Sequence, residues 1–248
     1  MLSLNHITFA CADPQRLAEF WASILDGYEI ELDGDVCYAR GDGPELFFDK
    51  REKSPTLEVP IHLDVNVPDR EAELDRILQL GGKLVETKSH QVGKLSEIWT
   101  VMRDPEGNGF CIQSPEKTNE RIIGNVTFSC AEPVALGKFY AEALGWPQEN
   151  VDDAFIQELL DAGMDPYETT AFYVTRETPT SRPRLFFQRR EKSRPASYPI
   201  HLDFHSNDSD GEIERLQLLG ATLEEEKSDG DHASIVMRDP ESNPFSFA

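Results

Sequence analysis

The sequence has little cysteine, no long apolar run and few basic residues relative to its acidic ones. Four cysteines in 248 residues, none in a CxxC pair, argue against a disulfide scaffold or a zinc ribbon. No stretch approaches the roughly 18 consecutive apolar residues of a membrane-spanning helix. The N-terminus lacks a basic segment before an apolar run, so no signal peptide is predicted. We therefore expect reduced thiols and a cytoplasmic location.

The charge balance excludes two classes of partner. The chain carries 24 Lys and Arg against 46 Asp and Glu, a formal net charge of −22. Phosphate backbones and anionic membranes both require a basic surface, so we expect neither nucleic acid nor membrane as a partner. With 39% hydrophobic residues, including 14 Phe and 3 Trp, the chain can nevertheless build a core.

The chain repeats itself, and the blocks occur in the same order in both halves. The matching pairs are HITFACADP with NVTFSCAEP, LFFDKREKSPTLEVPIHLD with LFFQRREKSRPASYPIHLD, and MRDPEGNGF with MRDPESNPF. Such a repeat predicts two homologous domains, 1–117 and 121–248, joined by a polar linker. The second copy is longer, with an insertion near residues 147–170.

Each half has alternating strand patterns interrupted by helical ones. In the first strand Ile7, Phe9 and Cys11 share one face, and Asp13 followed by Pro14 is typical of a helix N-terminus. Further along, PIHLDVNV alternates between apolar and polar residues, which predicts a strand with one face toward the core. The order in each half is βαβββ followed by βαβββ, an α+β architecture.

These blocks resemble the vicinal oxygen chelate superfamily, which includes glyoxalase I, bleomycin-resistance proteins and extradiol dioxygenases. The resemblance is carried by NHITFACADPQRLAEFW, PIHLDV and MRDPEGNGFCI in the first half, and by NVTFSCAEPVALGKFY, PIHLDF and MRDPESNPFSF in the second. The branch of glyoxalase-like domains is the most similar. The resemblance implies two tandem domains, each a pair of βαβββ modules forming a curled half-barrel sheet. Helices would cover the convex face, and a ligand would lie in the concave trough.

The resemblance also implies positions for metal ligands. In the first half they are His6, His62 and Cys111, with Asp49 or Glu45 as a further candidate. We expect at most one divalent metal (Zn, Ni, Mn or Fe) in domain 1. An alternative is that His6 and Cys111 only fill the trough. Since Cys111 stands where the metal enzymes of the family have Glu, extradiol-type dioxygenase activity is disfavoured.

In the second half the corresponding positions hold Asn125, His201 and Ser246. Asn and Ser are poor ligands for transition metals, so no metal is expected in domain 2.

Each half keeps one histidine followed two residues later by an aspartate on the same strand face: His62 with Asp64, and His201 with Asp203. An aspartate beside a histidine can raise its basicity, which suits a general base or a polar anchor for a ligand. We predict that His62 is catalytic. The predicted ligand-binding residues are Asp64, Phe48, Trp99, His201 and Asp203. A purely structural His–Asp pair is the alternative.

Three functions are compatible with the sequence. The first is a protein of the bleomycin-resistance kind that binds a small-molecule ligand without converting it. The second is a lyase or isomerase of the glyoxalase type, acting through a metal at His6 and His62 or through His62 as a base. The third is a scaffold without an active trough. A monomer whose two domains pair with each other, or a homodimer, is expected.

Overall fold

The chain forms fifteen strands and four helices within the residues that the computed structural model describes. These residues are 1–33, 36–51, 60–92, 95–115, 118–149, 157, 160–161, 172–178, 180–189, 198–229 and 232–248. The insertion predicted near 147–170 lies mostly outside them. No described helix combines the length and the apolar character needed to cross a membrane.

The elements fall into four consecutive modules. The strands of the first half are β1 (Ser3–Cys11), β2 (Glu29–Asp33), β3 (Val36–Arg40), β4 (Glu45–Lys50), β5 (Ile61–Asn66), β6 (Lys83–Val92), β7 (Leu95–Arg103) and β8 (Gly109–Gln113). Those of the second half are β9 (Ile122–Cys130), β10 (Phe172–Thr175), β11 (Arg184–Arg189), β12 (Ile200–His205), β13 (Thr222–Asp229), β14 (His232–Arg238) and β15 (Pro244–Phe247). Each module has one helix: α1 (Pro14–Ile24), α2 (Arg70–Gln79), α3 (Pro133–Leu144) and α4 (Ser209–Leu218).

The helices begin where the sequence provides caps. The Asp13 side chain accepts a hydrogen bond from the Arg16 backbone N–H at 3.2 Å, and Pro14 occupies the first helical position of α1. The apolar stripe of α1, which includes Phe20 and Trp21, is buried against the sheet. One face of each helix therefore closes the core.

The strands form two sheets, and each sheet takes one module from each half of the chain. The eight-stranded sheet has the order β13-β14-β15-β12-β1-β4-β3-β2, and the seven-stranded sheet has the order β10-β11-β9-β5-β8-β7-β6. The modules join through antiparallel pairing of β1 with β12 and of β5 with β9. At the centre of each sheet, a strand of the first half thus pairs with a strand of the second half.

The fold class is confirmed: the protein is α+β, with two curled, unclosed sheets and tandem glyoxalase-like units. From the sequence, both modules of one half were expected in one sheet, and the observed strand order differs from that expectation. The division into 1–117 and 121–248 describes the sequence repeat, whereas the hydrogen-bonded sheets run across it. A site on the central strands of a sheet therefore combines residues of both halves.

Helix-to-turn contacts connect the two modules within each half. Trp21 on α1 donates a hydrogen bond to Asp104 at 3.4 Å, and Tyr140 on α3 donates one to Asp239 at 3.1 Å. Both aspartates belong to the repeated MRDP blocks. Buried apolar side chains from both halves form one continuous cluster. One apolar core therefore supports both sheets.

Candidate functional site

The polar side chains of the central strands line the face of each sheet that points away from the helices. The "His62 trough" of the seven-stranded sheet is lined by His62, Asp64, Cys111, Asn125, Thr127 and Arg184. The "His201 trough" of the eight-stranded sheet is lined by His6, Thr8, Glu45, His201, Asp203 and Ser246. The period-two alternation predicted for PIHLDVNV produces this arrangement, because Ile61, Leu63 and Val65 are buried on the opposite face.

Asp64 is the centre of the His62 trough. Its Oδ2 accepts hydrogen bonds from Asn125 Nδ2 at 2.8 Å and from Thr127 Oγ1 at 2.7 Å, and its Oδ1 lies 3.4 Å from His62 Nε2. His62 and Asp64 come from β5, whereas Asn125 and Thr127 come from β9 across the junction between the halves. The buried carboxylate is therefore satisfied only when the two halves pair.

The His62–Asp64 pair is ionic. Burial lowers the pKa of His62, but hydrogen bonds and charge from Asp64 and Cys111 outweigh burial and raise it to about 10. Burial raises the pKa of Asp64, but the hydrogen bonds from His62, Asn125 and Thr127 leave it below its ordinary value. At neutral pH His62 is an imidazolium, which donates a proton and does not accept one. This state does not favour the predicted role of His62 as a general base.

Asp203 occupies the equivalent place in the His201 trough. It accepts hydrogen bonds from Thr8 and Ser246, and its Oδ2 lies 3.4 Å from His6 Nε2 and 3.6 Å from His201 Nε2. Burial lowers the pKa of His201, and the nearby charges of Arg51 and His6 lower it further against the opposing effect of Asp203. Two imidazoles thus share one carboxylate, and His201 is neutral at pH 7.

Beside the central pair, the two troughs carry opposite charge. In the His62 trough, Glu149 forms ion pairs with both Arg176 and Arg184. In the His201 trough, Arg40 lies between two carboxylates and pairs with Glu31 and Glu45.

The register makes these positions equivalent. Arg184 is paired with Asn125 on β9 as Glu45 is paired with His6 on β1. The same backbone position therefore carries a cation in one trough and an anion in the other.

The structure does not bring the three predicted metal ligands together. His6 lies on β1 of the eight-stranded sheet, whereas His62 and Cys111 lie on β5 and β8 of the seven-stranded sheet. The reason is that each sheet combines modules of both halves. The strand beside His62 is therefore β9 of the second half, which has Asn125 at the position of His6. The predicted set of His6, His62 and Cys111 is therefore corrected, as is a shared metal at His6 and His62.

A different group of three fits a metal ion. Among the described residues, the donor atoms of His62, Asp64 and Cys111 lie within 4.8 Å of one another. A histidine nitrogen, a carboxylate oxygen and a thiolate are ligands that Zn²⁺ accepts, and three protein ligands leave a fourth position open. Asp64 Oδ1 remains for the metal because the bonds from Asn125 and Thr127 both go to Oδ2. The donor chemistry thus fits zinc, which would displace the proton of His62.

Phe48 does not face a trough. It is fully buried and stacks on Phe9 with ring centroids 5.2 Å apart, so its predicted role in ligand binding is corrected. Its neighbour Phe47 is on the trough face and lies 5.2 Å from the ring of His6. Strand alternation requires that one of the two faces the trough, but only the side on which α1 packs decides which one. Trp99 is half-buried on β7, on the same face as Cys111.

Four residues of the His62 trough were not predicted from the sequence: Asn125 as a partner of Asp64, Thr127, Arg176 and Arg184. All four belong to the second half, which was expected to form its own site. The repeat contained a signal for two of them, since Asn125 aligns with His6 and Arg184 with Glu45. Using that signal required knowledge of which modules pair.

A family model described as a glyoxalase-like domain matches residues 6–113 and again residues 125–248. The chain therefore belongs to the glyoxalase-like domain family and carries the domain twice. This confirms the resemblance to the vicinal oxygen chelate superfamily.

Solved structures share the fold of the whole chain. Glyoxalase I from Zea mays is similar with a TM-score of 0.65 and 14% identity, over 100% of this chain and 92% of that one. A putative dioxygenase from Bacillus subtilis is similar with a TM-score of 0.61 and 14% identity, over 99% of this chain and 84% of that one. At such identities the likeness concerns the fold alone. The sequence matches none of the curated proteins with which it was compared.

Proposed function

We propose that this protein binds a small organic molecule in the His62 trough, with the buried His62–Asp64 pair as its anchor. The observation that carries the proposal is the placement of an ion pair on the open face of a sheet. A buried ion pair contributes little to stability relative to apolar packing, so a purely structural sheet face would be better served by apolar residues. The His62 side chain is 15% exposed, which leaves it within reach of a ligand.

The proposal is tested by protein-observed NMR with a library of small organic acids, amines and neutral aromatic compounds. Bound compounds are expected to shift the backbone amide signals of residues 62–64 and 125–127. His62→Gln should weaken binding at least about tenfold, because it removes a charge-assisted hydrogen bond. His201→Gln is the matched control and should leave binding unchanged. The proposal fails if no compound shifts these signals, or if His62→Gln binds the same compounds as tightly as the wild type.

A metal-dependent lyase or isomerase is the second candidate function, and it is favoured by the convergence of His62, Asp64 and Cys111. The test is equilibrium dialysis against Zn²⁺ followed by elemental analysis. We expect one zinc per chain, lost in His62→Ala and retained in His6→Ala, since His6 lies in the other sheet. Metal-free wild-type protein after dialysis would contradict this candidate. Equal loss in both variants would also contradict it.

A further inference from the structure

From the arginine pair we infer that the ligand of the His62 trough is a small organic anion, whose carboxylate, phosphate or phosphonate group binds Arg176 and Arg184. The inference rests on the proposed function, because it specifies the ligand of the same trough. Its basis is that arginines outnumber glutamates among the described residues at one edge of this trough, in a protein whose net charge is −22.

Strand register places the two arginines opposite each other. β10 pairs with β11 so that Thr175 faces Leu185, and the next residues outward are Arg176 and Arg184. Both guanidinium groups reach Glu149, Arg176 at Oε1 and Arg184 at Oε2. The Glu149 carboxylate therefore pairs with both guanidinium groups, one at each oxygen.

A third cation adds to the excess. Arg182 precedes Arg184 by two residues, and its pKa is lowered by burial and by the charges of Arg184 and Arg176, with Glu149 as the opposing charge. Within the described part of the chain, two guanidinium groups thus pair with Glu149, and a third is near enough for its charge to act on them. Guanidinium groups bind oxyanions through two parallel hydrogen bonds, so such a cluster favours a second anion.

The cluster is connected to the centre of the trough. Arg184 Nε donates a hydrogen bond to Asn125 Oδ1 at 2.8 Å, and Asn125 Nδ2 donates one to Asp64. These contacts fix the guanidinium on the trough face. Its Nη1 lies 3.4 Å from Glu149, a long contact, and the side chain is 29% exposed. A ligand oxyanion can therefore replace or share this contact.

The surroundings favour an anion with an apolar body. Phe186 is two residues beyond Arg184 on the same face of β11 and is paired with Thr127. A ligand whose oxyanion is held at Arg184 would extend along this strand toward His62, which is the charged group at the other end of the Asn125–Asp64 chain. A compact aromatic acid matches this spacing of a cationic edge and an apolar wall.

The test uses benzoate and phenylphosphonate as probes, with the neutral benzamide as a size-matched comparison. Binding is measured by isothermal titration calorimetry and mapped by NMR. We expect both anions to shift signals of Asn125 and Arg184 and to bind at least tenfold more tightly than benzamide. Arg184→Gln should weaken anion binding at least tenfold. Arg184→Lys should recover part of the loss, because it keeps the charge without the planar fork.

Arg40→Gln is the matched control, since Arg40 has in the other trough the register position of Arg176, and it should leave anion binding unchanged. The inference is overturned if benzamide binds as tightly as the anions, or if Arg184→Gln and Arg40→Gln have equal effects. Neutral compounds that bind the trough independently of Arg184 would overturn the inference while leaving the proposed function intact. If neither charged nor neutral compounds shift the NMR signals of the trough, the proposed function itself fails.

Discussion

In the His62 trough Arg176 and Arg184 share Glu149, whereas in the corresponding place of the His201 trough Arg40 lies between two glutamates. The surrounding backbone is the same: a parallel pair of strands, a buried aspartate and a histidine two residues before it. The difference shows that the fold decides where polar groups stand on the sheet face, while individual side chains decide the sign of the charge there. Four experiments sharpen or break this comparison.

The largest difference is expected from removing the central aspartates. Asp64→Ala leaves the His62 imidazolium buried without its counter-charge, and we expect a loss of about 3–5 kcal/mol in the free energy of unfolding. Asp203→Ala leaves His6, neutral His201 and two hydroxyl donors without their shared acceptor, for which about 1–3 kcal/mol is expected. Urea unfolding of both variants measures the difference. Equal losses would show that the two pairs have the same charge state.

The second experiment exchanges the residues on the last strands, Cys111 and Ser246. Cys111→Ser should weaken zinc binding at least about tenfold, because it removes a thiolate ligand. Ser246→Cys should create a weak zinc site beside His201 and Asp203, since the registers of the two strands correspond. Zinc titration with a competing chelator measures both effects. Unchanged affinity in Cys111→Ser would remove Cys111 from the candidate ligands.

The third experiment reverses the charge of the His201 trough. Glu45→Arg should reproduce the pattern of two arginines around one glutamate, with Arg40 and Glu31 as the partners. A second, weaker site for benzoate is expected. Its binding free energy should be roughly 1–2 kcal/mol more favourable than that of the wild-type His201 trough. Calorimetry on an Arg184→Gln background isolates the new site. A variant that folds and binds no benzoate would show that charge alone does not define the anion site.

The fourth experiment compares the protonation of the two histidines and its effect on stability. NMR of the imidazole nitrogens at pH 7 should show His62 charged and His201 neutral. With its pKa raised to about 10, His62 stabilises the folded state below pH 6.5, and this contribution is lost as pH rises toward 10. The pKa of His201 is lowered, so its neutral form stabilises the folded state above pH 6.5. This contribution is lost as pH falls below 6.5. Identical titration of the two histidines would contradict the comparison.

Much of the architecture could be predicted from local patterns. Alternation in PIHLDVNV predicted that His62 and Asp64 share a face, and the 3.4 Å contact between them is in line with this. The cap at Asp13 and Pro14 placed the start of α1 correctly. These features depend on neighbouring residues, whose geometry the chain itself determines.

The composition of the candidate site could not be predicted in the same way. Thr8 and Asp203 are in contact although 195 residues separate them, and Asp64 receives its hydrogen bonds from Asn125 and Thr127 in the other half. The repeat makes both pairings of modules equally compatible with the sequence pattern. Predicting one trough per half therefore gave His62 the wrong partner, His6.

The sequence by itself determined the tandem repeat, the order of helices and strands, the acidic charge and the residues that stand on each strand face. Only the tertiary structure decided which modules share a sheet, and hence that His62 meets Asn125 and Arg184 while His6 meets Asp203. The physical reason is that a strand's own sequence fixes its alternation, whereas its partner is selected by long-range hydrogen bonding and by burial of the common core. The chemistry of each trough results from that selection.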